Sequence, residues 1–207
     1  MINNKDESGY NDYMELKIRF LRFFSFINKL FYGNFGKRSA IISPIRIIGR
    51  KNIFIGKRCL IRDGARIECI YKWNNLKFNP KLRIGDGTNI EQSVHITFAS
   101  NLTIGKNCSI APRVMITTID HDYSKIDIGI MKNDILTRDV TIGDNCFFGI
   151  DVKIFPGVTI GNNCIVGANS LVMSDLPDYC VAVGCPAKII KRFDKETQKW
   201  INLKNNK

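Results

Sequence analysis

Histidine is scarce in this chain of 207 residues, which has only two, His95 and His121. Two imidazoles cannot furnish a three-histidine metal centre, so no metal is expected. Cysteines at metal-binding spacing are missing too. The seven cysteines include no CxxC, and their odd number argues against a closed disulfide framework. No long hydrophobic run occurs. The greasiest stretch, FLRFFSFINKLF (20–31), is broken by Arg22 and Lys29 and is too short to span a bilayer. The start, MINNKDESGYNDY, is polar and mixed in charge, without the pattern of an export signal, which predicts a cytoplasmic location. Negative charge is also in short supply, with 19 Asp and Glu against 31 Lys and Arg for a net +12. Such a surplus favours anionic partners: nucleic acid, a membrane surface or a phosphorylated cofactor. Aromatics are not interleaved with basic residues in the manner of nucleic-acid readers, and no nucleic-acid motif is found, so that partner is not expected. The remaining balance, 44% hydrophobic and 24% charged, is that of one folded domain with a small appendage.

What the chain does have is a period. In TIGDNCFFGIDVKIFPGVTIGNNCIVGANSLV (141–172), Ile142, Phe148, Ile154, Ile160, Val166 and Val172 follow one another at intervals of six. Helices repeat near 3.6 residues and strands at 2, so neither explains this spacing. Six residues suit a short strand plus a turn along one face of a solenoid, and three such faces close a triangular coil. The same frame holds Ile55, Ile61 and Ile67, then Ile84, Ile90 and Ile96, then Ile104, Ile110 and Ile116. Glycine often follows the key aliphatic, as at Gly56, Gly85, Gly105, Gly143, Gly149, Gly161 and Gly167, which suggests sharp backbone turns there. Four residues after the aliphatic, a small side chain is expected because it faces the interior beside a corner. Cys59, Cys108, Cys146 and Cys164 share that place with residues such as Ala65, Thr88 and Ser170. They read as small buried hydrophobes, in a dry slot where an added hydroxyl should be unfavourable. Cys69, Cys180 and Cys185 lie off the slot and receive no chemistry.

Three interruptions break the frame: YKWNNLKFNPK (71–81), two extra residues between Ile96 and Ile104, and a long break between Ile116 and Ile142. In a solenoid, insertions leave at corners and tend to carry function. The chain therefore divides into an N-terminal helical extension (1–40), a β-helix (41–177) with loops at 71–81 and 120–139, and a C-terminal cap segment (178–207). Residues 13–32 predict a helix with a broad apolar face. It either caps the open end of the solenoid or lies on an anionic membrane. KRFDKETQKWINLK (191–204) predicts a short basic helix, and NNK (205–207) a frayed end.

The run 141–172, the segment TTIDHDY (117–123) before a long loop, and VAVGCPAKII (181–190) together resemble the hexapeptide-repeat acyltransferases. The likeness runs from about residue 41 to about 192, and VAVGCPAKII resembles the ending that follows the solenoid in galactoside, maltose and polysaccharide O-acetyltransferases. It implies a left-handed parallel β-helix, a homotrimer with active sites between subunits, and acetyl-CoA as donor. His121 matches the family's general base, and imidazole titrates where a base for a sugar hydroxyl is most useful. A backbone N–H near Gly149–Ile150 would stabilise the oxyanion. Further positions matching family contacts to coenzyme A are Ala168, Met173, Ser174 and Lys188. Many relatives have Thr-Lys where this chain has Met173-Ser174, and Lys188, Lys191 and Arg192 could supply the missing charge.

The resemblance places Glu91 where other enzymes have a sugar-binding Asn, and Ala99 where some have Asp. It implies an acceptor other than a small free sugar: a surface polysaccharide, its repeat unit or a precursor. Glu91, His95 and Asp122 are the candidate acceptor contacts. Asp120 or Asp122 could orient His121, though turn formation explains each as well. The alternative for His121, which the motif disfavours, is a loop histidine bonded to a neighbouring carbonyl. N-acetylation of an amino sugar would use the same base, and a noncatalytic binding solenoid is the alternative of another class. Location is expected to be cytoplasmic, with peripheral membrane contact through 13–32 if that helix is interfacial.

Overall fold

Each six-residue step is one short strand and one corner, and three steps bring the chain back over itself. In the computed structural model, which describes residues 4–203 apart from the side chains of 4–11, this winding forms a left-handed parallel β-helix. Three sheets make its faces. The first carries strands from Asn34–Phe35 to Thr159–Ile160, the second from Ala40–Ile41 to Ile165–Val166, the third from Arg46–Ile48 to Leu171–Val172. Strand pairing is in register between coils: Ile84 lies on Ile104 and Ile142 on Ile160, while Ile96 lies on Ile116 and Ile116 on Ile154. The sixth-residue aliphatics are all buried and form one continuous core. Coiling begins at Asn34, a few residues before the boundary expected at 41.

The residues after each aliphatic divide the corner's demands differently from expectation. Left-handed torsions fall at the third residue: Asn107 has φ 52°, Asn145 57°, Asn163 56°. Asparagine tolerates that conformation better than other side chains with a Cβ. The glycines directly after the aliphatic serve close approach instead. A Cβ on Gly143 would stand 2.7 Å from the Gly161 carbonyl carbon and 2.8 Å from the Asn162 nitrogen, both backbone atoms of the next coil.

The small slot at the first corner is likewise not merely small. Ser39 and Thr88 hydroxyls donate to Gly56 and Gly105 carbonyls, each at 2.7 Å. The thiols of Cys59, Cys108 and Cys146 donate to the carbonyls of Gly85, Gly143 and Gly161 at 3.1, 3.2 and 3.1 Å. The column thus holds a donor that satisfies a buried carbonyl of the following coil, and the expectation of a dry slot hostile to hydroxyl is corrected.

The two larger interruptions acquire structure. Residues 71–81 form a small hairpin, Lys72–Trp73 against Leu76–Lys77, with Asn74 at φ 50° in its turn. The long break is an arm in which Ile119–His121 pairs antiparallel with Ile135–Thr137. The helix expected over 191–204 is also corrected. Lys188–Asp194 and Lys199–Asn202 are antiparallel strands that extend the second sheet. Phe193 faces Trp200 across the pair at 5.4 Å, and Asp194 accepts bonds from Glu196 N–H and Thr197 Oγ1–H to make the turn. Cross-strand aromatics outweigh the basic, helix-compatible composition. Residues 204–207, including the expected frayed NNK, lie outside the described residues. At the other end, helix α1 (Asn4–Phe23) and the short α2 (Ser25–Asn28) precede the first coil. Among the described residues no helix is long and apolar enough to cross a membrane.

Cys108→Ser should keep stability within about 1 kcal/mol, because it retains a donor to Gly143. Cys108→Val fills the slot without one and should lose about 1–3 kcal/mol. Chemical denaturation of both variants measures the gap, and equal losses would mean the slot selects on size alone.

Candidate functional site

The two larger insertions both leave from the third face and meet above it. Trp73 Nε1–H donates to the Asn133 carbonyl at 2.8 Å, and Asn74 Nδ2–H donates to that carbonyl and to Asp134 Oδ1, each at 3.1 Å. Asn133 is itself buried and donates from Nδ2 to the Lys125 carbonyl at 3.1 Å, which closes the arm on itself. Small hairpin and arm are thereby clasped, enclosing a cleft of about 280 Å³. Its floor is the outward row of the third face, His95, Thr97, Met115 and Thr117. Its walls are Ile70 and Trp73 on one side and Ile119, His121 and Ile135 on the other.

The His121 ring meets the Trp73 ring edge-on at 5.5 Å and 69°. Its Nδ1 is buried and has no partner among the described residues. Among the described residues neither adjacent carboxylate bonds to the ring. Asp120 Oδ1 accepts the His121 backbone N–H at 2.8 Å, and Asp122 Oδ1 accepts the Ser124 N–H at 2.9 Å. The Ser124 bonds hold the exposed Asp122 carboxyl below its ordinary pKa.

His95 shares the cleft with His121, although 25 residues separate them in sequence. Its Nε2 shares a 3.0 Å hydrogen bond with Thr97 Oγ1 and lies 3.9 Å from Glu68 Oε2. Burial lowers the His95 pKa, and the positive charge of Arg66 lowers it further, while Glu68 opposes both. Glu68 is buried and held by Arg66 at 2.8 Å and Arg46 at 3.4 Å. Reading the sequence missed Glu68. Its signal was there: Arg46, Arg66 and His95 occupy one register position in three successive coils, so Glu68 two residues on must face the same surface.

The other predicted residues fall elsewhere. Glu91 pairs with Arg62 at 3.7 Å, and neither it nor Asp122 lines the cleft. Gly149, Ile150 and Ala168 stand at the second corner, one and two coils beyond Ile110. At the first corner, backbone N–H groups of adjacent coils are covered by carboxylates or amides: Lys106 by Asp144 at 2.7 Å, Asp144 by Asn162 at 2.8 Å, Asn162 by Asp178 at 2.7 Å. At the second corner the matching places hold Pro112, Ile150 and Ala168, which have no such side chains to offer. The backbone along this corner is thus without the side-chain partners that cover the first corner. Met173 and Ser174 are exposed just after the third-face strand Leu171–Val172. Lys188 pairs with Val183, and the neighbouring Ala187 N–H donates to the Leu171 carbonyl at 2.8 Å, so this cation borders the same last coil.

The family description "Hexapeptide repeat of succinyl-transferase" matches residues 139–174. WcaF of Escherichia coli, named as a colanic acid biosynthesis acetyltransferase, is 33% identical over 147 residues, 71% of this chain and 71% of its own length. The chain belongs to the hexapeptide-repeat acetyltransferase family. WbbJ of the same organism, named as a lipopolysaccharide biosynthesis O-acetyl transferase, is 36% identical over 122 residues, and the match spans 56% of this acetyltransferase and 62% of WbbJ. Among solved structures, AntD, an N-acyltransferase from Bacillus cereus in complex with dTDP and 3-hydroxybutyryl-CoA, superposes with TM-score 0.67 at 22% identity, covering 83% of this chain and 88% of AntD. VCA0836 from Vibrio cholerae, complexed with acetyl coenzyme A, gives TM-score 0.58 at 24% identity over 81% and 75% of the two chains. At these identities the superpositions bear on the fold of the acetyltransferase, not on its substrate.

With only two histidines, an NMR titration of the acetyltransferase reads His95 directly. Its midpoint should fall below the ordinary imidazole value of about 6.5. Arg66→Gln should raise it and Glu68→Gln should lower it further. A wild-type midpoint above the ordinary value would contradict the arrangement described.

Proposed function

We propose that this acetyltransferase moves the acetyl group of acetyl-CoA to a hydroxyl of a surface polysaccharide, its repeat unit or a precursor sugar. The observation that carries the reading is His121, set in a clasped cleft with a buried, unpartnered ring nitrogen and a tryptophan edge beside it. The names of WbbJ and WcaF support the acceptor class. Imidazole at His121 accepts the hydroxyl proton as the oxygen attacks the thioester carbonyl. The Gly149 N–H is committed to the Val166 carbonyl at 2.8 Å, so of the expected pair the Ile150 N–H is the one left to receive the developing oxyanion. When the carbon–sulfur bond breaks, His121 returns the proton to the coenzyme A thiolate. No acyl-enzyme is needed.

His95 and Thr97 sit on the cleft floor as neutral hydrogen-bonding groups for the acceptor sugar, while Trp73 offers a flat apolar wall to its ring. Lys188, with Lys191 and Arg192 on the same strand, fits the phosphates of the coenzyme. Met173 and Ser174 would flank that path. Glu91 and Asp122, which lie off the cleft, would contact acceptor only beyond the sugar being acetylated.

The working unit we assign is a homotrimer in the cytoplasm, with clefts completed between subunits. The arm supports this by presenting apolar side chains outward, Ile126 at 89% and Met131 at 60% exposure, where a neighbouring copy can cover them.

His121→Ala should cut acetyl transfer by roughly 10²–10⁴-fold without changing oligomeric mass or thermal midpoint. His95→Ala should raise KM for the acceptor and leave kcat nearly unchanged. Hydroxyl and amino acceptors assayed side by side test the O-transfer assignment. Undiminished turnover in His121→Ala would remove that residue from the mechanism.

A further inference from the structure

The N-terminal helices present a surface that the solenoid does not use. Their apolar side chains do not join the core, which begins at Tyr32 and Phe35. Instead Leu16, Phe20, Phe23, Phe26 and Leu30 stand 66%, 62%, 75%, 60% and 71% exposed. These positions recur at helical spacing, so along α1 and beyond α2 they form a stripe turned away from the β-helix. On the inner side the helices are fastened to the first coil. Lys17 Nζ donates to Ser43 Oγ at 3.0 Å, and the Arg38 N–H donates to Ser25 Oγ at 3.1 Å. The outward orientation of the stripe is therefore the one the first coil imposes.

Charge surrounds the stripe. Residues 13–38 contain six cations and one carboxylate, Glu15. Arg19, Arg22, Lys37 and Arg38 line a groove of about 590 Å³ together with Phe23 and Phe26. None of these four cations forms an ion pair among the described residues. The Arg22 Nε is buried and has no hydrogen-bond acceptor among the described residues.

We propose that this face docks on a membrane carrying anionic phospholipid, with the aromatic stripe in the headgroup–acyl boundary and lipid phosphates in the cationic groove. Apolar insertion and cation–phosphate attraction are the two contributions that hold an interfacial helix. A second copy of the chain fits worse, since an identical face would set six cations against six. An acidic protein surface would satisfy the arginines but would not call for so many exposed aromatic rings. Docking of this kind brings the enzyme to lipid-borne acceptors, yet it rests on the helices alone and holds whatever the acceptor is.

The test is co-sedimentation of the full chain with vesicles of phosphatidylcholine alone and of phosphatidylcholine mixed with phosphatidylglycerol. Binding should require the anionic lipid and weaken with salt. Arg19→Gln with Arg22→Gln should reduce affinity by about fivefold per cation removed, and Phe20→Ser with Phe23→Ser by at least as much. Both pairs are surface changes that should leave acetyl transfer to a soluble acceptor unaltered, which separates this proposal from the catalytic one. No binding to anionic vesicles would overturn it. So would binding lost with the arginines but indifferent to the phenylalanines, which describes a general polyanion surface. A change of oligomeric mass in the phenylalanine variant would also overturn it, by placing the stripe between copies.

Discussion

Everything in this molecule depends on side chains of one coil resting on their equivalents in the next. The inward aliphatics stack in register along all three faces, Ile90 on Ile110 and Ile110 on Phe148, so the core is a set of parallel columns. Dispersion and burial reward that register at every rung, and a slip by one residue would turn each column outward. Extra residues therefore cannot be absorbed within a strand. They must leave at the end of one, and the hairpin and the arm do so from the third face.

That constraint gives the cleft a floor of paired strands and walls of inserted chain. The floor belongs to the ladder, with His95 opposite Met115 and Thr97 opposite Thr117 in adjacent strands. The walls belong to insertions held by side-chain bonds from Trp73 and Asn74 to the carbonyls and carboxylate of the arm. A neutral His95 beside a buried Glu68, itself clamped by two arginines, fixes the polarity of the floor without leaving an unpaired charge there. Polar satisfaction reaches into the corners as well, where hydroxyl and thiol groups share one column because each can donate to the next coil's carbonyl.

The period of six made the solenoid legible, because its physical cause, inward stacking, acts on the residue types themselves. His121 stands out in the sequence through its motif, and the structure sets it in the wall of the cleft. The clasp was not, since no local pattern in YKWNNLKFNPK says that Trp73 will find Asn133, sixty residues away. Corner glycines suggest sharp turns in the sequence, whereas the structure uses them for close approach between coils, because both demands select glycine. The basic end over 191–204 has helix-compatible residues throughout, but an exposed sheet edge and the Phe193–Trp200 pair draw it into strands. Amphipathicity of residues 13–32 was visible in sequence. Which way the apolar side faces was not, for a cap and a docking surface share that pattern.

The central claim is that two insertions fold onto a regular prism so that His121 and a strip of bare corner backbone serve one transfer. A crystal structure of the protein with coenzyme A addresses it most directly. The account predicts pantetheine laid along the corner of Ile150 and Ala168, its sulfur directed to the cleft of His121. Coenzyme bound along the first corner, where carboxylates and amides already cover the backbone, or ending far from His121, would contradict it.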